Sequence, residues 1–291
     1  MSFARFQRTI SRPAMVSGYG YWSGRDVRVE FRPAEVETGI TFVRDDLGSK
    51  AHVPARVDHR VDTPRRSNLS YRGMQIDMVE HILAALAGLQ IDNCEVGVDQ
   101  VEMPGCDGSS LAFVQALDAV GSIEQHATMP RLEITEPICF SCGESWIEAQ
   151  PDPSGKYTVQ FELDYPHASV IGRQSVSMEV TPENFRRELA PCRTFVLQQE
   201  ADEMIRQGLG KRVTPRDLLV FDDHGPVKNV LRFDNECARH KALDVIGDMA
   251  LTGCEIGGRI VAHRSGHQLN ASLATELVTR FAITQSLRAI A

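Results

Sequence analysis

The 291-residue chain has no apolar run long enough to cross a bilayer. Its longest, Ile82–Leu89, falls far short of the ~18 to 20 residues that a spanning helix needs. Arg5, Arg8 and Arg12 are followed by no apolar stretch, so a cleaved secretory signal is not expected. Positive charge is in deficit: 31 Lys and Arg stand against 39 Asp and Glu, a net −8, with the acids spread along the chain. Nucleic-acid binding needs concentrated positive charge that displaces counterions, so that class of partner is disfavoured. Cysteine is sparse and odd in number, seven scattered residues, which points to reduced thiols and a cytoplasmic protein. What is present, 42% hydrophobic and 24% charged residues, describes an ordinary globular chain and excludes collagen-like, disordered and coiled-coil classes. The length is about twice the ~150-residue prior for one domain, which predicts two.

Strand-like runs open the chain at 7–10, 27–31 and 39–43. From Gln75 to Leu89 the apolar residues Ile76, Met78, Val79, Ile82, Leu83, Leu86 and Leu89 recur every three or four positions. That period predicts an amphipathic helix with Asp77 as a cap near its start. Gly88 and Ile91-Asp92-Asn93 end it, 94–98 reads as a strand, and a second helix is expected over 111–120. The later half repeats the plan, with strands at 131–134, 146–149, 157–163 and 255–263. Its helices are expected near 182–189, 198–207, 235–251 and 268–287.

Cys94-Glu95-Val96-Gly97 and Cys254-Glu255-Ile256-Gly257 stand 160 residues apart, and the same offset lays Ala85-Leu86 on Val245-Ile246. Matched residues in a matched order of elements predict an α+β fold of two similar domains, 1–127 and 128–291, joined near Gln125–Arg131.

The offset also lays Glu80-His81 on His240-Lys241 of the equivalent helix. Copies packed face to face would bring these pairs together at the seam, where sites preferentially form. His240 and Asp244, four apart, share a helix face at a Cβ separation of about 5 to 6 Å, which suits two ligands of one cation. His81 can supply a third ligand and leave one position open, as in catalytic zinc sites, with Asp248 one turn further on to orient a ligand. Taken alone, a surface i,i+4 ion pair is the commoner account of His240 and Asp244. Glu80 beside a ligand, however, is the base that a metal-activated water requires. His267, between a strand and the last helix, is either a general acid for a leaving amine or a turn histidine facing solvent. Thr194 offers a hydroxyl to an oxyanion, or is simply structural.

Two other features carry less. Cys139-Phe140-Ser141-Cys142 has redox or zinc-ligand spacing, but without a second pair or an adjacent histidine it is read as buried thiols at a strand edge. Gly18, Gly20 and Gly24 lack a surrounding strand–turn–helix unit and are read as a turn, not a dinucleotide site.

Together these residues resemble the UDP-3-O-acyl-N-acetylglucosamine deacetylase family, the zinc enzymes of lipid A biosynthesis. The resemblance extends over nearly the whole chain. It is carried by Gln7-Arg8-Thr9-Ile10, the segment 79–89 with Ile91-Asp92-Asn93, Asp107-Gly108-Ser109, Arg193-Thr194-Phe195, Gln207-Gly208-Leu209, Leu231-Arg232-Phe233, the segment 239–248, and Ser265-Gly266-His267 with Leu269-Asn270. It implies two α+β domains, each a two-layer α/β sandwich, with the helices packed between the sheets. It implies His81, His240 and Asp244 as ligands of Zn2+, a donor set that ligand chemistry also opens to Fe2+. By the same resemblance Glu80 is the general base, His267 the general acid and Thr194 the oxyanion donor. Lys241 lies near the substrate's polar groups and Asp248 near His267. The implied reaction is hydrolysis of the N-acetyl amide of a nucleotide sugar, releasing acetate.

The chain departs from the family at Trp22, where a histidine is usual, and at Arg264, where a lysine is usual. The helix Gln198–Glu203 is polar where an acyl chain would be enclosed, and Lys211–Arg216 replaces a small-residue loop. Two further readings therefore stand beside the first: a divergent paralogue acting on another N-acyl amino sugar without a long acyl chain, and a non-catalytic carbohydrate- or lipid-binding relative. A base, an acid and an open metal position together argue against the last. A dry apolar channel beside the metal would favour the acylated substrate.

Overall fold

The computed structural model describes residues 5–48, 51–165 and 169–290, the side chains of 283–290 excepted. Two sheets dominate it, and they share one plan. In the first, Cys94–Val98 is the central strand. It runs antiparallel to Asp26–Pro33 and parallel to Ile40–Arg44, with Ala14–Tyr19 and His52–Pro54 outside them. In the second, Glu255–His263 takes the centre, antiparallel to Ser145–Gln150 and parallel to Tyr157–Asp164, with Ile138–Cys142 and Arg173–Glu179 outside. Order and sense agree strand for strand, so the 160-residue offset reflects a repeated α+β unit. Even the accessory strands correspond: Thr9 bridges in parallel to Asn93, as Arg131–Glu133 pairs in parallel with Glu255–Gly257. We propose a boundary at 127/128, next to the point where the chain leaves Ser122–Thr128, paired with the first strand, for Arg131–Glu133, paired with the second sheet.

A parallel pair needs a crossover, and a helix supplies it in each half. The helices, in chain order, are α1 (Glu80–Gly88), α2 (Leu111–Val120), the single turn α3 (Pro182–Asn184), α4 (Gln198–Arg206), α5 (Glu236–Ala250) and α6 (His267–Ile290). α1 leads into the first central strand and α5 into the second, and these two helices pack against each other. Residues from both sheets, such as Phe31, Phe42, Phe161 and Ile260, join the two helices in one apolar core.

Three expectations are corrected. α1 starts at Glu80, not near Gln75, and Asp77 does not cap it. Met74–Ile76 instead pairs with Asn68–Tyr71 as a hairpin, and Asp77 bridges to Glu102. The residues of a strand end and a helix start happened to share one apolar spacing. Nor is α1 amphipathic in effect, since every residue from Glu80 to Leu86 is buried. Cys139 and Cys142 are exposed, not buried, because Ile138–Cys142 is the edge of its sheet and Ile138 takes the inward position. Three residues of extended chain span about 10 Å, too far for a disulfide between them. Gly18 belongs to the strand Ala14–Tyr19, and only Gly20 to Gly24 forms the expected turn.

The approach of α5 to α1 is set by Gly247: a Cβ there would overlap the carbonyl oxygen of Glu80. Close-packed interiors resist such insertion at a cost of about 1–3 kcal/mol or more. Gly247→Ala is therefore expected to lower unfolding stability by at least that amount in urea titrations, and to weaken metal uptake as the helices part.

Candidate metal centre

α1 presents His81 from its first turn, and α5 presents His240 and Asp244 one turn apart. The three side chains are buried, and one ligand atom from each lies within 4.8 Å of the others. His81 Nε2 and His240 Nε2 stand 3.7 and 3.4 Å from Asp244 Oδ1. A tetrahedral ion with bonds near 2.1 Å separates its ligand atoms by about 3.4 Å, so the set needs little adjustment to close on one. His240 Nδ1 donates to the Cys192 carbonyl at 3.1 Å, which leaves the Nε2 lone pair facing the cluster. Burial pushes the His240 pKa down to about 4, so the ring is neutral, as a ligand must be.

Asp244 is the key to the cluster. Burial alone would raise its pKa, but the Lys241 ammonium and His240 hold it well below the usual carboxylate range. Its Oδ2 accepts from Lys241 Nζ at 2.7 Å, while its buried Oδ1 has no hydrogen-bond partner among the described residues. An ionised oxygen left unpaired in the interior costs several kcal/mol unless a cation sits against it. The residues therefore fit a divalent cation. The surface ion-pair account does not apply, because the His240 and Asp244 side chains are only 3% and 5% exposed.

Glu80 and His267 flank the cluster. Burial raises the Glu80 pKa against the pull of His267 and His81, and Glu80 Oε2 accepts from the Ser67 amide at 3.0 Å. A carboxylate with a raised pKa is better matched to proton transfer near neutrality. His267 Nε2 stands 4.0 Å from Asp244 Oδ2, and its Nδ1 donates to Asp248 Oδ2 at 2.8 Å. Burial by itself would lower the His267 pKa, but the Asp248 carboxylate outweighs it and the pKa rises to about 9. Asp248 is fully buried and fully paired: Oδ2 also accepts from Asn270 Nδ2 at 2.8 Å, and Oδ1 from Ser67 Oγ at 2.5 Å.

Thr194 is held by its backbone, donating to the Gly108 carbonyl at 2.7 Å and accepting from Leu219 at 2.9 Å. Gly108 has φ of +79°, and a side chain there would collide with the Asp217 carbonyl and crowd Thr194. Asp107 stabilises that turn by accepting from Ser109 and Arg232, and Ser110 Oγ donates to the His81 carbonyl. Glu236 takes both forks of the Arg193 guanidinium, at 2.8 and 3.0 Å, and fixes the preceding loop to α5. Sequence reasoning missed Ser67 and Glu236, and took Asp107-Gly108-Ser109 as part of the family resemblance without a role in holding Thr194.

Glu80, His81, Thr194, His240, Lys241, Asp244 and His267 all open into one cavity of about 700 Å³. The rest of its lining is largely apolar: Phe195, Val196, Leu209, Val213, Leu218 and Val220, with Ala201, Met204 and Ile205 from α4. The polar helix thus contributes half-buried Ala201 and Met204 to the lining beside Gln198 and Glu200, while Asp202, Ile205 and Arg206 are exposed. Trp22 lies at the same cavity under the Arg66 guanidinium, 4.2 Å from its ring centre, with its amide bound to buried Glu102. Arg264 also lines the cavity and pairs with Glu144 at 2.6 Å. Arg212, from the basic replacement loop, pairs with Asp26 and stacks on Tyr19.

Two imidazoles and a carboxylate around one point, with a second carboxylate and a third imidazole beside them in an accessible cavity, have the composition of a hydrolytic metal centre. A family model described as UDP-3-O-acyl N-acetylglycosamine deacetylase matches residues 7–279. The UDP-3-O-acyl-N-acetylglucosamine deacetylase of Chlamydia felis is 37% identical over 276 residues, covering 94% of this chain and 97% of that one. The proteins of the same name from Brucella ovis and Brucella canis are 34% identical, covering 94% of this chain and 96% of theirs. The chain belongs to this family of deacetylases.

The orphaned oxygen of Asp244 yields a direct prediction. Asp244→Asn removes the charge that calls for a cation, so divalent metal retained after loading with one equivalent, measured by elemental analysis after gel filtration, should fall at least tenfold while circular dichroism stays unchanged. His81→Ala, from the other half of the chain, should do the same.

Proposed function

We propose that this protein hydrolyses the N-acetyl amide of UDP-3-O-acyl-N-acetylglucosamine, releasing acetate and a free sugar amine, as a step of lipid A biosynthesis. The observation that carries the reading is the unpaired Asp244 Oδ1 between two imidazoles, with Glu80 and His267 on the same cavity. His81, His240 and Asp244 would hold the ion, which we assign as zinc, with iron(II) compatible with the same donors. Bound there, a divalent ion lowers the pKa of water towards ~7 and polarises an amide carbonyl.

The chain's own residues supply the remainder. Glu80, desolvated and poised to take a proton, acts as general base on the attacking water. Thr194 Oγ1 donates to the oxygen that gains charge as the carbonyl carbon becomes tetrahedral. Lys241, fixed on Asp244 Oδ2, adds positive charge on the same side of the cavity. His267, charged and oriented by Asp248, gives its proton to the departing nitrogen, which would otherwise leave as an unstable amide anion.

The apolar lining favours the acylated substrate over a plain acetamido sugar. Each methylene buried along Phe195, Val196, Met204 and Val220 is worth about 0.8 kcal/mol, and a non-catalytic sugar binder has no use for such a wall beside a metal centre. A small-molecule nucleotide sugar is thus the partner. No described helix is long and apolar enough to cross a membrane, and all seven cysteines are free, which fits a reducing compartment; we place the reaction in the cytoplasm.

The test is acetate release from UDP-3-O-acyl-N-acetylglucosamine by the zinc-loaded protein. Turnover is expected with this substrate; none with it, together with turnover of an unacylated acetamido sugar, would favour the paralogue. Glu80→Gln should lower kcat by about 10²- to 10⁴-fold with bound zinc retained. Met204→Glu should raise KM for a long-chain substrate at least tenfold and leave KM for a short-chain one within twofold.

A further inference from the structure

We propose that Ser67 is a positioning residue for this reaction, tying the Glu80 carboxylate to the Asp248–His267 pair; the proposal rests on the deacetylase reading above. Ser67 lies just before the strand Asn68–Tyr71 and is fully buried. It bonds in three directions. Its amide donates to Glu80 Oε2 at 3.0 Å, its hydroxyl to Asp248 Oδ1 at 2.5 Å, and its carbonyl accepts from Val79 at 3.0 Å, at the start of α1. One small residue therefore connects the helix that carries the base to the helix that orients the acid.

The surroundings hold that residue in place. Asn68 Oδ1 accepts from the amide of Met78, whose φ of +63° is a left-handed conformation that a methionine adopts only under constraint. The chain is thereby pinned on both sides of the hairpin that Ser67 precedes. Among the described residues nothing else hydrogen-bonds to Asp248 Oδ1. Without the hydroxyl that oxygen would be buried and unpaired, and the carboxylate would turn to relieve it. A turned Asp248 releases His267 Nδ1, and His267 Nε2 then loses its aim at the leaving nitrogen. The Ser67 amide, being backbone, continues to hold Glu80 in any substitution, so the hydroxyl can be tested separately.

The experiment compares Ser67→Ala and Ser67→Thr in the zinc-loaded, full-length protein. Partners behind a site's reacting groups are typically worth 10- to 100-fold in activity. Ser67→Ala should therefore lower kcat 10- to 100-fold with KM within twofold and zinc content unchanged, and Ser67→Thr should recover most of it. The downfield proton resonance of His267 Nδ1, observed with and without zinc, should shift in Ser67→Ala and return in Ser67→Thr. A wild-type kcat in Ser67→Ala, an unmoved resonance, or a loss of kcat matched by equal loss of zinc would each overturn the proposal. A wild-type protein that releases no acetate would count against the deacetylase reading instead, and the resonance would still report on Ser67.

Discussion

A carboxylate oxygen buried between two imidazoles, with no donor among the described residues to satisfy it, is the constraint on which this structure turns. Asp244 Oδ1 can be tolerated there only if a cation completes it. The other groups are arranged around that demand. Lys241 occupies the second oxygen of Asp244, His240 is kept neutral with Nε2 free, and His81 arrives from a different helix. That arrival depends on contact between backbones. Gly247 lets α5 approach the first residue of α1 without an intervening side chain, and the metal-facing atoms lie immediately beside that contact.

The repeated unit explains how one site acquires unlike parts. Two sheets of the same order and sense present equivalent helices to each other, yet the equivalent positions hold Glu80-His81 in one copy and His240-Lys241 in the other. Facing helices therefore contribute different side chains to the cluster: a glutamate and a histidine from one side, a histidine, a lysine and an aspartate from the other. Segments between the shared elements then supply what neither copy has alone. Thr194 and α4 come from the long connection between Arg173–Glu179 and α5, and Ser67 comes from the connection between His52–Pro54 and α1.

Much of this was legible wherever a pattern is local. The spacing of His240 and Asp244 is one helical turn whatever surrounds it, and the strands Cys94–Val98 and Glu255–His263 and the helix Leu111–Val120 lie where their periodicity puts them. The matched offset also pointed to a meeting of Glu80-His81 with His240-Lys241. What failed was decided by distant partners. Ser67 acts on Asp248 across 181 residues, and nothing around a serine before a hairpin announces a buried carboxylate. Glu236 looked like any acidic residue at a helix start, but it neutralises Arg193 from 43 residues away. The average polarity of α4 concealed its contribution to the cavity, because Ala201 and Met204 line it from among polar neighbours that include Gln198 and Glu200. The exposed thiols of Cys139 and Cys142 were misread because edge or interior is a property of the sheet, not of the strand.

The account stands or falls on three side chains from two halves of the chain sharing one ion. X-ray absorption at the zinc edge, on protein loaded with one equivalent, tests this most directly. A first shell of nitrogen and oxygen at about 2.0–2.1 Å, with scattering from two imidazoles in the unsubstituted protein, is the predicted result. Sulfur at about 2.3 Å, or failure to retain an equivalent of metal, would contradict it.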